Sequence, residues 1–115
     1  MIFAFEVIPM SRFLGDYCFD STKPHGVSSL DSIDYKTAKD FIACDLIEVV
    51  SLGEIQVEIG GKTHDFKNAI MIVDEEGKLV ADWQMNPWAT FIIRDQVGME
   101  VIAGNAIICE SEEFQ

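Results

Sequence analysis

The sequence predicts an α+β fold: a mostly antiparallel sheet of about six to eight short strands covered by two helices. Three observations predict it. Short apolar or alternating runs recur between glycine-bearing turns, as in Ile55-Gln56-Val57-Glu58-Ile59 before Gly60-Gly61. Two stretches switch to helical spacing directly behind residues that cap helices, Asp34 and Asn86. The 115 residues are 49% hydrophobic, enough for one core, so residues 1–115 are read as a single domain.

Each element follows from its residues. Ile2 to Ile8 reads as a first strand, closed by Pro9. Residues 10–34 form a long irregular excursion with Gly15, Pro24, Gly26 and five serines. Its Phe13, Leu14, Tyr17 and Phe19 favour packing on the body, with a short strand or turn inside it, and loops of this length often carry function. Asp34 caps a helix over about residues 35–46. There Ala38, Phe41, Ile42 and Leu46 share a face, and Lys36, Lys39 and Asp40 point away. Ile47 to Val50 is a strand, broken by Ser51 to Gly53. Ile55 to Ile59 is half-buried, Gly60-Gly61 is a two-residue turn, and Thr63 to Phe66 is the returning partner.

Ala69 to Val73 is a continuous apolar run, as in a central strand, and Lys78 to Trp83 is its return. Asp74-Glu75-Glu76-Gly77 between them fits a type I turn closed by a left-handed glycine. Asn86-Pro87 then opens a helix over about residues 87–96. Trp88, Phe91 and Ile92 lie on one face of it, with Ala89 and Ile93 beside them. Met99 to Ile102 is a strand, Ala103-Gly104-Asn105 a tight turn and Ala106 to Cys109 a last buried strand, before a frayed acidic tail at 110–115.

Charge limits the function classes. Twenty acids against eight bases give a net charge of −12, and no base follows Arg94. That field repels phosphates and disfavours direct nucleic-acid binding, while it attracts a basic surface on another protein. No apolar run is long enough to span a bilayer, and no basic stretch precedes an apolar one at the N-terminus. The expected setting is cytoplasmic (the host cytoplasm if phage-encoded), with no membrane partner.

The search for chemistry yields no catalytic residue, no cofactor and no metal site. Cys18, Cys44 and Cys109 are an odd, widely spaced set, and none has a zinc-ligand spacing with His25 or His64. Cys44 and Cys109 read as buried thiols in apolar surroundings. Gly60-Gly61-Lys62-Thr63 lacks the glycine that a phosphate loop needs five residues before its Gly-Lys pair, since that place holds Gln56. His64 and Asp65 are neighbours on a strand and face opposite ways. His25 sits in a Pro-Gly turn.

The order of motifs resembles a known pattern. "DLIEVV", "VDEEGKL", "NPWAT" and "IAGNAIIC", from about Tyr35 to Cys109, are similar to a family of small bacterial and phage proteins known only as a domain of unknown function. The shared motifs are a turn, a cap and another turn. The resemblance implies a phage or mobile-element context and carries no catalytic residue. Residues 1–34 depart from it.

The expectation is therefore a small acidic non-enzymatic interaction protein. Its partner would be a host protein with a basic surface, a nucleic-acid-binding or defence factor that it inhibits. The candidate contact residues are Asp74, Glu75, Glu76, Glu110, Glu112 and Glu113. The alternatives are a binder that sequesters a nucleotide-like signal and a structural domain without activity. The binder would stack its ligand on Trp83 or Trp88, with bases from Lys23, Lys36, Lys39 or Arg94. A homodimer would close the open sheet edges.

Overall fold

The computed structural model describes residues 1–7, 26–76, 84–97 and 101–114. They form β1 (Ile2–Phe5), β2 (Val27–Leu30), α1 (Tyr35–Ile42), β3 (Ile47–Ile59), β4 (Lys62–Asp74), α2 (Pro87–Val97) and β5 (Ala106–Glu110). A short 3-10 turn at Ser111–Glu113 follows. The strands make one sheet in the order β2-β1-β5-β4-β3, and every neighbouring pair is antiparallel. The class is α+β as expected, with five strands among the described residues in place of six to eight.

The count falls because four expected strands are two. Ser51–Gly53 is a bulge and not a break: β3 and β4 stay paired from Ile47↔Asp74 to Ile59↔Lys62, with register shifts only around Gly53. From Ser51 to Gly53 the chain advances two residues against one on β4, and from Gly53 to Ile55 it advances two against three. The two irregularities cancel, so the register beyond them is restored. Each strand changes face once there. Phe66 and Ala69, three apart, both enter the same core, as do Leu52 and Ile55.

The sheet is covered on both faces. On one side, Ala38 and Ile42 of α1 pack with Ile2, Ala4, Ile70, Ile72, Ile107 and Cys109. On the other, Trp88, Ala89, Ile92 and Ile93 of α2 pack with Phe5, Met71 and Ile108. Burial of Trp88, Ile92 and Ile93 contributes about 2–3 kcal/mol each. Two-sided cover explains why Ala106–Cys109 of β5 is fully buried and reads as an unbroken apolar run.

Both helix starts match the sequence. Asp34 accepts the Thr37 N–H at 2.7 Å, and Asn86 Oδ1 accepts the Ala89 N–H at 3.0 Å. The first helix ends four residues before Leu46. Ala43 takes the left-handed conformation, φ 59°, and its N–H returns to the Lys39 carbonyl. The chain turns away there, and Leu46 becomes 48% exposed instead of joining the core. Phe91 also leaves its expected face and is 48% exposed. At 100° per residue it falls roughly 60° outside the arc from Trp88 to Ile93.

The two-residue turn is present, with Gly60 and Gly61 both at positive φ. The expected irregular excursion contains β2, while its residues 10–25 lie outside the described part. So do the Gly77 corner and the expected return strand Lys78–Trp83. Val101 and Ile102, the described end of the expected Met99–Ile102 strand, precede a single bridge between Met85 and Ala103. The tail is an ordered turn, and Phe114 bridges Ile33. Among the described residues no helix is long and apolar enough to cross a membrane.

Candidate functional site

A buried polar node fixes the α2 end of the molecule. Asn86 is fully buried, and its amide donates to the Phe5 and Gly104 carbonyls at 3.0 and 2.9 Å while it caps α2. Its own N–H reaches the Ile102 carbonyl at 2.7 Å. Thr90 Oγ1 accepts the Ile102 N–H at 2.9 Å. Asn105 joins the two faces, accepting from Val7 N–H and donating to the Phe41 carbonyl. No described buried side-chain polar atom lacks a partner, so the node is a closed structural network.

The C-terminal acids are mostly committed to the fold. Glu110 accepts the N–H groups of Lys67 and Asn68 at 3.1 and 2.8 Å, at the irregularity of β4. Those bonds, Asn68 foremost, hold its carboxyl below the usual carboxylate range. Glu113 accepts the Glu110 N–H at 2.9 Å and pairs with the Met1 ammonium at 2.6 Å. Of this group only Glu112 is exposed; Glu110 and Glu113 are half-buried. The commitment of Glu110 has no local mark in the sequence, because the N–H groups it accepts lie more than forty positions away.

Asp74, Glu75 and Glu76 stand differently. Asp74 ends β4 opposite Ile47, and Glu75 N–H extends the ladder to the Leu46 carbonyl at 3.1 Å. Asp74 Oδ1 accepts the Glu76 N–H at 2.9 Å, and the Glu75 and Glu76 side chains are exposed. Asp45 and Glu48 are exposed on the adjoining chain. Two apolar side chains on this segment are exposed: Leu46, next to Asp45, at 48%, and Val49, on the opposite sheet face from Glu48, at 45%. Sequence reasoning missed both. Leu46 fits the apolar stripe of α1, and only the left-handed turn at Ala43, where no glycine signals it, releases Leu46 to the surface.

Among the described residues the remaining candidates form no reaction centre, and Cys18, Lys23 and His25 lie outside them. Cys109 is buried, and burial followed by the Glu113 carboxylate pushes its thiol up to about 12. Cys44 is half-buried; burial first, then Asp74, raises its thiol as well. It lines an open depression of about 460 Å³ with Lys39, Asp40, Ala43 and Asp45. His64 packs its ring on Phe3 at 4.8 Å, and Asp65 is exposed on the opposite face. Among the described residues no three His, Cys, Asp or Glu side chains gather as a metal site. Trp88 is 1% exposed and stacks on Phe5 at 5.8 Å, so it presents no platform for a ligand. Trp83 lies outside the described residues. Of the bases considered for a nucleotide, Lys39 stands over the Tyr35 ring, Lys36 is on α1 and Arg94 is on α2, on opposite sheet faces.

Comparison with family models, curated proteins and solved structures finds no match to this chain.

Proposed function

We propose that this is a small acidic, non-enzymatic interaction protein of phage or mobile-element origin. It binds a basic surface of a host protein and inhibits a nucleic-acid-binding or defence factor by placing carboxylates where phosphates would sit. One observation carries the reading: exposed Leu46 follows Asp45 and its carbonyl accepts the Glu75 N–H of the Asp74–Glu76 turn, with exposed Val49 farther along the same edge strand. Carboxylates steer encounter with a basic partner and set specificity, while affinity needs apolar anchors that lose water on contact. This end of the sheet has both. Glu110 and Glu113 serve the fold, so the contact set contracts to Asp74, Glu75, Glu76 and Glu112, with Leu46 and Val49 as apolar neighbours of the first three along the edge strand.

The test is affinity capture from host lysate at low and high salt, with wild type beside the Asp74→Asn, Glu75→Gln, Glu76→Gln, Leu46→Ala variant. The expected result is a basic nucleic-acid-binding protein held by wild type, released by salt and lost with the variant. Adding the chain to that partner should displace its nucleic acid. Capture of no basic protein, or equal capture by both chains, overturns the proposal.

A further inference from the structure

We infer that the outer edge of β3, along Ile47–Ser51, accepts an extended basic segment of a partner protein as a sixth strand. This rests on the acidic-interaction reading and specifies how the partner is held. β3 is thirteen residues long and lies at the sheet edge, paired on one side with β4; among the described residues no strand pairs with its other side. The opposite edge, β2, has only four residues. From Ile47 to Leu52 no residue is buried, whereas Ala106–Cys109 of central β5 is buried throughout. This stretch pairs residue for residue with Ile70–Asp74 and ends at the bulge, where Gly53 has φ 72°. Among the described residues this row of backbone donors and acceptors is regular and uncovered, and such a row is a template for another strand.

Charge selects the occupant. Strand edges are commonly guarded by lysine or proline, and β3 has neither. It carries three glutamates and no base, with Asp45, Asp74, Glu75 and Glu76 beside its first residues. A second copy laid against this edge would set acid-rich rows side by side, and like charges across a strand pair repel. A basic segment meets the opposite condition. The alternation also sets which residues it needs. Ile47 and Val49 share the α1 face, while Glu48 and Val50 share the α2 face. The incoming strand would place apolar side chains beside exposed Val49 and basic ones beside Glu48.

The probe is a fluorescein-labelled peptide of alternating lysine and valine, about eight residues long, titrated by anisotropy at low salt. Controls are lysine–proline and glutamate–valine peptides of the same length. Proline keeps the charge and removes the N–H that a ladder requires. The expected result is binding about tenfold tighter for lysine–valine than for lysine–proline, and none for glutamate–valine. Slowed amide exchange should be confined to Ile47–Ser51, and Glu48→Lys should lose about tenfold in affinity. Equal binding of the two basic peptides overturns strand addition and leaves the broader acidic reading standing. Binding of neither also overturns it, while a host partner captured through Asp74–Glu76 would still support the broader reading. A peptide-free dimer with protected β3 amides would overturn the selection against a second copy.

Discussion

Replacing Asn86 tests whether the α2 end is held by a helix cap or by a network. As an ordinary cap, Asn86→Ala costs about 1 kcal/mol. The structure demands more. The side chain is fully buried, caps Ala89 N–H and donates to the carbonyls of Phe5 and Gly104. Alanine leaves two acceptors without this donor, at about 1–3 kcal/mol each, so with the lost cap the expected loss is about 3–7 kcal/mol in total. Against a domain stability of about 5–15 kcal/mol, that is a large fraction. Urea melts at pH 7 read it directly. Asn86→Asp separates the two roles, since it keeps the cap acceptor and removes both amide donors. Its carboxylate would face two carbonyls, which favours the protonated form in the folded state. Its folded pKa is therefore raised, and its stability should fall as pH rises above about 4. A loss near 1 kcal/mol for Asn86→Ala, or a flat pH response for Asn86→Asp, would refute the network account.

Three further outcomes are expected. Ala43→Gly should stabilise: the left-handed backbone costs alanine about 1–2 kcal/mol, and glycine's extra freedom in the unfolded chain takes back about 0.4–1. Ala43 is exposed, so no packing is lost, and a gain of about 0.5–1 kcal/mol, or 2–4 °C in Tm, should appear by calorimetry. Glu110→Gln should lower Tm at neutral pH. The folded pKa of Glu110 is depressed, so its contribution is present above the ordinary carboxylate pKa and lost as pH falls through the folded value. The gap between variant and wild type should therefore narrow below about pH 4, which melts across a pH series will reveal. Asp74→Asn, Glu75→Gln, Glu76→Gln should leave Tm within about 2 °C of wild type while weakening basic-partner binding; a large drop in Tm would make these acids part of the fold.

The elements were legible where the signal is local. Asp34 and Asn86 cap helices because their side chains satisfy N–H groups three residues away. Gly60-Gly61 turns a hairpin because both positions need positive φ. What was lost depends on distant partners. Ser51–Gly53 reads as a break because nothing nearby announces the second irregularity on β4 that cancels it. Leu46 reads as core because the left-handed turn at Ala43 lacks its usual glycine. Of the candidate site, the hairpin acids were visible as a surface turn, while Val49 and Leu46 looked like strand and helix interior. Edge position, which leaves Val49 uncovered, is a property of strand order and has no sequence mark of its own.

The two acidic clusters look alike in the sequence and differ in what their charge does. Glu110 sits where β4 departs from regular pairing, and it accepts two N–H groups there. Its charge is used to settle an irregularity that the bent hairpin needs, and Glu113 in turn holds the Glu110 backbone and the Met1 ammonium. These acids have partners inside the chain, so their field is partly cancelled at the surface. Glu75 and Glu76 point outward from a turn pinned by Asp74 and by the Leu46 carbonyl. The rest of the fold requires that turn and not its charges, since the same bonds use only backbone atoms and one aspartate. Among the described residues no ion pair engages Asp74, Glu75 or Glu76, and these acids stand at one end of the edge strand, next to exposed Leu46. Self-repulsion among those acids favours their dispersal over the surface, and their grouping beside Leu46 is what a basic partner would exploit.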